Sequence, residues 1–375
     1  MTYPDFELVD YKFHHIILEG TSYEIGQQLA QYNKRHEGSI KWFKETKLDP
    51  KKSGFKDFEE MDALFEECCP GIGDEIRGFS DELGIDHRYS AFYNNSIFNA
   101  TQTNCSQLLV LPSYTGDNQM YLGRSYEWNL VQDDCLLCTT RVKGKASHLG
   151  LSVILSGRFE GMNEHGLVVS TTGGGIFDVP LRKRGPSFWI FVRSFLENCR
   201  TVKECIDKID SLPIGGHVNF IFADTNGDAA HVEVADGDIA TARPTDDEPF
   251  LYSLNHYRLP ETEKHNAQNC GVIHHSKIRE LLIKDLLERR APNITKDDVQ
   301  KLLSTSHPNG LCNHFYREGF GTTYSMIFDV LGKSIDVCFS APSHNKYRKF
   351  TLEGEVGVTE YPAVIPHLPW TTYPR

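Results

Sequence analysis

The pattern of hydrophobic and polar positions changes near residue 105. Before this point apolar residues recur at helical spacing, and Ile25 and Leu29 follow a capping-box pattern formed by Thr21 and Glu24. After it, short apolar runs alternate with turns rich in Gly, Asn and Asp, which predicts strands. The predicted strands cover 106–112, 119–126, 135–142, 148–155, 167–172, 218–223, 229–234, 250–254, 323–329 and 334–340.

Helical patterns occur on both sides of this change. After a short first strand at 13–18, the predicted helices cover 59–67, 74–83, 90–100, 186–196, 201–209, 276–289 and 296–303. This order of elements predicts an α+β fold, compatible with two antiparallel sheets packed together and covered by helices. We find no repeat and no low-complexity linker, so position 105 is the one boundary that the sequence indicates.

The composition is typical of a soluble globular protein, with 39% hydrophobic and 24% charged residues among 375. The formal net charge of −12 argues against a nucleic-acid partner, because binding a polyanion requires a concentrated basic surface. The N-terminal sequence lacks the pattern of a secretory signal, and no stretch approaches ~20 apolar residues. We therefore predict no membrane association and a cytoplasmic location, and the ten scattered cysteines favour free thiols in a reducing compartment.

A predicted β-hairpin places a cysteine beside two charged residues. Cys105 opens the first strand, a turn rich in Gly and Asn follows, and the return strand ends with Arg124 and Glu127. Because a hairpin brings its two outer ends side by side, we predict that these three residues lie close together. Residues three apart on a strand point to opposite faces, so this prediction also requires a twist or a bulge near Arg124 and Glu127.

The hairpin resembles that of the cysteine N-terminal-nucleophile (Ntn) hydrolases. Within them it looks most like the acyl-coenzyme A:6-aminopenicillanate (isopenicillin N) acyltransferase branch, with bile-salt (choloylglycine) hydrolases and penicillin V acylases as more distant relatives. Further segments resemble the same branch in the same order, at 18–26, 75–78, 161–167 and 253–256. The resemblance implies a four-layer αββα sandwich, with residues 1–104 as a mostly helical pro-segment that becomes the small subunit and residues 105–375 as the catalytic core.

The resemblance also implies a route to an active thiol. In that family an internal cysteine attacks the peptide carbonyl before it, and hydrolysis of the intermediate releases its α-amino group as the base for its own side chain. Here the cleaved bond would join Asn104 to Cys105, and Cys105 would be the nucleophile. The alternative is a buried structural thiol, which is the commonest state of a free cysteine.

Other predicted site residues follow from the same resemblance. Glu127 matches the position of an acid, usually Asp, that bonds the new amino group, and Arg124 matches the arginine beside the nucleophile in bile-salt hydrolases. Asn255 matches a side-chain amide that donates to the oxyanion. A surface ion pair is the alternative for Arg124 and Glu127, and a turn residue is the alternative for Asn255.

Two weaker matches complete the predicted site. Thr172 and Gly173 lie nearest to a family strand that carries an Asn in the acyl pocket, so any oxyanion contact here would come from backbone N–H groups. A mobile glycine loop is the alternative for this segment. Arg279 loosely resembles a further family arginine and is left out of the predicted site.

The resemblance implies a self-processing enzyme that acts on a linear, non-peptide C–N amide bond of a small N-acyl amine. We favour hydrolysis because it needs no second site, but transfer to an amine, with an acyl-coenzyme A thioester as donor, stays open. Two further alternatives also stay open: an uncleaved binding protein, and a zinc protein that uses the pairs His14–His15 and His274–His275. The protein could also form a homo-oligomer. The histidine pairs lack acidic or cysteine partners at ligand spacing, so we predict no metal and no bound cofactor.

Overall fold

The computed structural model of the protein describes residues 7–35, 37–45, 47, 55–96, 104–128, 135–152, 156–174, 185–266, 271–316 and 320–367. In the first part of the chain a long strand, β1 (Glu7–Gly20), precedes five helices. These are α1 (Ser22–Asn33), α2 (Glu37–Glu45), α3 (Phe58–Cys68), α4 (Ile72–Leu83) and α5 (His87–Ser96). The predicted capping box is confirmed, since Thr21 accepts from the backbone N–H of Glu24 and the Glu24 carboxylate accepts from that of Thr21.

Helices α1 and α4 approach each other closely at two glycines. A Cβ on Gly26 would lie 1.9 Å from the Glu75 carbonyl oxygen, and one on Gly78 would lie 2.1 Å from that of Tyr23. Only residues without a side chain allow this backbone contact. Gly26 and Gly78 therefore set the short distance between helices α1 and α4.

A nine-stranded sheet, sheet A, has the order β10-β9-β8-β7-β6-β5-β4-β1-β16. Its further strands are β4 (Leu136–Val142), β5 (His148–Ser152), β6 (Glu160–Asn163), β7 (Val168–Gly173), β8 (His217–Ala223), β9 (Ala229–Ala235), β10 (Asp238–Ala242) and β16 (Gly357–His367). Neighbouring strands are antiparallel except for β1 and β4, which are parallel. Strand β1 thus lies within the sheet, between β4 and β16.

A second sheet, sheet B, has the order β11-β2-β3-β13-β14-β15, with β12 paired to β13. Its strands are β2 (Asn104–Val110), β3 (Tyr121–Trp128), β11 (Phe250–Ser253), β12 (His314–Phe315), β13 (Phe320–Asp329), β14 (Ser334–Phe339) and β15 (Arg348–Phe350). The remaining helices are α6 (Phe188–Asn198), α7 (Val202–Ile209), α8 (Pro260–Glu263), α9 (Gly271–Arg290) and α10 (Lys296–Ser304).

Three hydrophobic cores separate four layers. The first lies between the sheets and includes Leu109 and Tyr126 of sheet B with Leu151 of sheet A. The second joins the outer face of sheet A to α6 and α7, and the third joins the outer face of sheet B to α9 and α10. Leu108 belongs to the third core while Leu109 belongs to the first, as the period of two in a strand requires. The predicted α+β fold with an αββα arrangement is confirmed.

The main differences from the predicted elements lie at strands with weak patterns. Strands β6, β10, β12, β15 and β16 and helices α2 and α8 were not predicted, and β1 is longer than the predicted 13–18. β16 pairs with β1 along its whole length, from Glu7 opposite His367 to Ile17 opposite Gly357. Exposed polar residues and prolines interrupt the alternation in this ribbon, so its pairing is set by tertiary structure.

Candidate active site

The predicted hairpin is formed by β2 and β3, and its register defines two faces. Cys105 lies opposite Tyr126, Gln107 opposite Arg124, and Asn104 opposite Glu127. Side chains of paired residues share a face, so Cys105 and Arg124 point toward sheet A while Asn104 and Glu127 point toward the helices. The hairpin therefore divides the predicted site between the two sides of one sheet.

Arg124 contacts the thiol of Cys105. Its Nη2 atom lies 3.4 Å from the Cys105 Sγ atom, and the two residues are 0% and 2% exposed. Burial raises the pKa of the Cys105 thiol, and the guanidinium of Arg124 opposes that rise. Arg124 therefore offsets part of the cost of forming a thiolate at this buried position.

A buried carboxylate from sheet A completes the environment of Arg124. The Arg124 Nε atom donates to Glu160 Oε2 at 3.0 Å, and Tyr324 donates its hydroxyl to the other oxygen of Glu160. Burial disfavours the charged form of Arg124, but the charges of Cys105 and Glu160 more than offset it and hold its pKa well above its ordinary value. Glu160 and Tyr324 were not predicted, because β6 gives no strand signal and neither position carries a motif.

Asn255 and Arg279 hold the backbone of Cys105 from the helical side. The Asn255 Oδ1 atom accepts from the Cys105 backbone N–H at 2.7 Å and from Arg279 Nη2 at 2.8 Å. Arg279 Nη1 donates to the Cys105 carbonyl oxygen and, at 2.7 Å, to Ser106 Oγ. Three side chains thus bind the sulfur, the nitrogen and the carbonyl oxygen of one residue.

Arg279 was left out of the prediction, yet it contacts Asn104, Cys105, Ser106 and the predicted residue Asn255. It is fully buried on α9, which begins at Gly271 and not at the predicted residue 276. Its contacts with Asn104 and with Cys105 span 175 and 174 residues of sequence. The loose resemblance of Arg279 to a family arginine was the sequence signal for it, and its complete burial is seen only in the structure.

Glu127 lies beside the backbone of Asn104 rather than at the thiol. Its Oε1 atom accepts from Ser125 Oγ and, at 3.4 Å, from Thr322 Oγ1, while its Oε2 atom has no hydrogen-bond partner among the described residues. Burial raises the pKa of Glu127, and Arg279 opposes the rise. The pairing of β2 with β3 is regular, so the predicted twist or bulge that would bring Arg124 and Glu127 to the same face is not found there. A register shift occurs instead in the neighbouring strand β13, between Thr322 and Tyr324.

Thr172 and Gly173 connect β7 to the segment that carries Asn255. Thr172 Oγ1 donates to the Leu254 carbonyl at 2.7 Å, and the Gly173 carbonyl accepts from Asn255 Nδ2 at 3.0 Å. The oxygen of the Asn255 amide faces two donors and its nitrogen faces a carbonyl, so the orientation of this amide is determined. Gly173 meets Asn255 through a carbonyl, whereas the sequence led us to expect a backbone N–H at this position.

One member of each histidine pair makes a side-chain contact with a neighbouring residue. His15 lies 2.8 Å from Thr139 Oγ1, and burial lowers its pKa to about 4, while His275 contacts Arg279 Nε at 3.1 Å. Within the described ranges, no group of three or more His, Cys, Asp or Glu side chains is arranged to hold a metal ion. In the same part of the chain, none of the helices combines the length and the apolar character needed to cross a bilayer.

The chain belongs to the acyl-coenzyme A:6-aminopenicillanic acid acyl-transferase family, whose model matches residues 114–344. The match includes Arg124, Glu127 and Asn255 and begins after Cys105, and it confirms the resemblance to the Ntn hydrolases. No curated protein matches this chain.

Three solved enzymes have structures similar to this one. Penicillin V acylase from Agrobacterium tumefaciens is 15% identical with a TM-score of 0.42, covering 68% of this chain and 90% of its own. A variant of conjugated bile acid hydrolase from Clostridium perfringens is 11% identical with a TM-score of 0.46, covering 72% and 100%. A Caenorhabditis elegans ortholog of N-acylethanolamine-hydrolyzing acid amidase is 17% identical with a TM-score of 0.42, covering 60% and 93%.

Proposed function

We propose that this protein is a self-processing Ntn amidohydrolase that cleaves a linear, non-peptide C–N amide bond of a small N-acyl amine through an acyl-thioester on Cys105. Membership of the family supports an enzyme of the Ntn hydrolase and acyltransferase type. The observation that carries the proposal is a set of three hydrogen bonds to Cys105. Arg124 binds its sulfur, Asn255 binds its nitrogen and Arg279 binds its carbonyl oxygen.

The first reaction in this proposal is cleavage of the bond between Asn104 and Cys105. The thiol loses its proton, the sulfur attacks the Asn104 carbonyl carbon, and the C–N bond breaks as the nitrogen takes up a proton. Water then hydrolyses the thioester, which leaves a carboxylate on Asn104 and a free α-amino group on Cys105. Arg124 favours the attacking thiolate, and Asn255 Oδ1 orients the nitrogen that leaves.

In the second reaction the new α-amino group is the general base. Its ordinary pKa is ~7.7–8.0, so a fraction on the order of 10% is the neutral amine at pH 7, and this fraction rises with pH. The thiolate attacks the substrate carbonyl, the amine of the substrate leaves with a proton, and water releases the acyl group. Glu127 orients the α-amino group, and Asn255 stabilises the oxyanion through its Nδ2 donor, which binds the Gly173 carbonyl in this structure.

The test is the intact mass of the freshly purified, denatured protein, beside Cys105→Ala and a matched control, Cys338→Ala. We expect two fragments that meet at Asn104 and Cys105 in the wild type and in the control, and one chain in Cys105→Ala. Cys338 is a suitable control because it is equally buried, in β14. A single full-length chain in all three proteins contradicts self-processing and supports the uncleaved binding protein.

The family description favours acyl transfer as a second candidate. Hydrolysis and transfer share the acyl-thioester and differ in what releases it. The two are distinguished by incubating the cleaved enzyme with an N-acyl substrate and an added amine. A free acid as the main product supports hydrolysis, and a new amide whose share grows with the amine concentration supports transfer.

A further inference from the structure

A series of polar side chains leads from the buried Glu127 to the surface. The first contact is made by Thr322, which lies directly opposite Glu127 in the pairing of β13 with β3 and donates to Glu127 Oε1 at 3.4 Å. Thr322 Oγ1 also accepts from the backbone N–H of Asn313 at 2.8 Å, which fixes its position. Glu127 and Thr322 are both 0% exposed, so water does not reach this end of the series.

The next group in the series is the thiol of Cys312. Burial raises the pKa of Cys312 to about 11, and the neighbouring hydroxyl groups of Ser343 and Thr322 oppose the rise. The thiol donates to Ser343 Oγ. Its Sγ atom is 3.4 Å from Ser343 Oγ and 3.6 Å from His314 Nε2. A neutral thiol in this position can accept a proton from one neighbour and donate one to the other.

The outer end of the series consists of Ser343 and two histidines. Ser343 Oγ lies 2.8 Å from His314 Nε2 and 2.8 Å from His344 Nδ1. Burial lowers the pKa of His314 to about 4, so its ring is neutral near neutral pH and has one donor and one acceptor nitrogen. His344 is exposed to solvent.

In the reaction proposed for this site, Glu127 would exchange a proton with solvent. In the uncleaved chain it faces a neutral peptide bond, and burial favours its protonated form, against the charges of Arg279 and Arg124. In the proposed reaction, cleavage creates an α-amino group that Glu127 orients, and a protonated amine favours the carboxylate. Processing therefore lowers the proton affinity of a fully buried group, and a proton that leaves it needs a path to solvent.

We infer that Thr322, Cys312 and Ser343 form a proton relay between Glu127 and the exposed His344, and that His314 positions Ser343 and the Cys312 thiol. Each group in the relay takes up one proton and passes one on, so that the proton that leaves Glu127 is matched by one released from His344 to solvent. The inference rests on the proposed function and adds to it the positioning residues that connect the buried acid to bulk water.

The test follows self-cleavage of the full chain after a labelling pulse in cell-free synthesis. We expect His344→Ala to cleave more slowly by roughly tenfold, less than the 10²–10⁴ that a group transferring protons at the reacting atoms contributes. Added imidazole should restore the rate, since it can replace an exposed histidine as a proton carrier. Ser343→Ala should slow cleavage without rescue, because it interrupts the relay inside the protein.

The matched control is His87→Ala, which removes a histidine of α5 whose side chain is 42% exposed. Its rate should equal that of the wild type, with and without imidazole. A His344→Ala protein that cleaves at the wild-type rate, or that is slow and not rescued by imidazole, overturns the relay while self-processing stands. A wild-type chain that never cleaves overturns the proposed function itself, and the relay with it.

Discussion

Arg124 supplies one positive charge to two buried partners, the Cys105 sulfur and the Glu160 carboxylate. Both members of the ion pair are 0% exposed, so neither can exchange its partner for water. Removing one member of such a pair costs more than the pair itself contributes, because it leaves a buried charge without compensation. This asymmetry allows the structural role of Arg124 to be separated from its role at the thiol.

We predict that Arg124→Gln lowers the free energy of unfolding by about 3–5 kcal/mol, and that Arg124→Gln combined with Glu160→Gln recovers most of that loss. Neither variant should process itself at the wild-type rate, since both lack the cation at the Cys105 thiol. Urea denaturation measures the stability, and intact mass measures the cleavage. Wild-type cleavage in the stable double variant would show that Arg124 does not act on the thiol.

At the scale of elements, α9 supplies one face to the site through His275, Ser276 and Arg279. The spacing of three and four residues places these side chains on one side of the helix. Ser276 Oγ accepts from the Asn255 backbone N–H at 2.9 Å and lies 2.7 Å from His256 Nδ1. The helix therefore positions both Arg279 and Asn255 against the backbone of Cys105.

We predict that Ser276→Ala slows self-cleavage or turnover by more than the exposed neighbouring change Lys277→Ala does. The buried N–H of Asn255 would lose its acceptor, a loss of about 1–3 kcal/mol, and its side chain would no longer be held at Cys105. Parallel rates and unfolding midpoints for both variants provide the measurement. Equal rates for Ser276→Ala and Lys277→Ala would contradict the positioning role.

At the scale of the whole molecule, the segments before and after residue 105 are interleaved. β1 lies between β4 and β16 in sheet A, and Glu75 of α4 pairs with Arg193 of α6 at 2.7 Å with both side chains about 1% exposed. Backbone pairing and a buried ion pair of this kind are not exchanged readily for water. The two segments depend on each other whether or not the chain is cleaved between them.

We therefore predict that the fragments produced by cleavage stay together. They should co-elute in native size-exclusion chromatography and separate in urea. Glu75→Gln should lower the urea concentration at which they separate, since it leaves Arg193 with Glu197 as its one remaining carboxylate among the described contacts. Fragments that separate without denaturant would contradict the structural dependence.

The sequence by itself determined the features that depend on local pattern. Alternating apolar residues placed β2 and β3 and their hairpin, the capping box began α1, and the position of Cys105 at a strand start indicated the site. A hydrophobic period of two residues in a strand, or of 3.6 residues in a helix, indicates which face of the element is buried, and turn residues indicate where the element ends. These signals are contained within short stretches of chain, so they can be read without the fold.

Only the tertiary structure decided which groups meet at Cys105. It brought Arg279 and Glu160 to the cysteine and its arginine, placed Glu127 on the other face of the hairpin, and aligned Thr322 and Cys312 behind it. Periodicity shows that a side chain is buried but not what lies across from it. A buried charge needs a partner from a distant element, and that pairing exists only when the layers have packed.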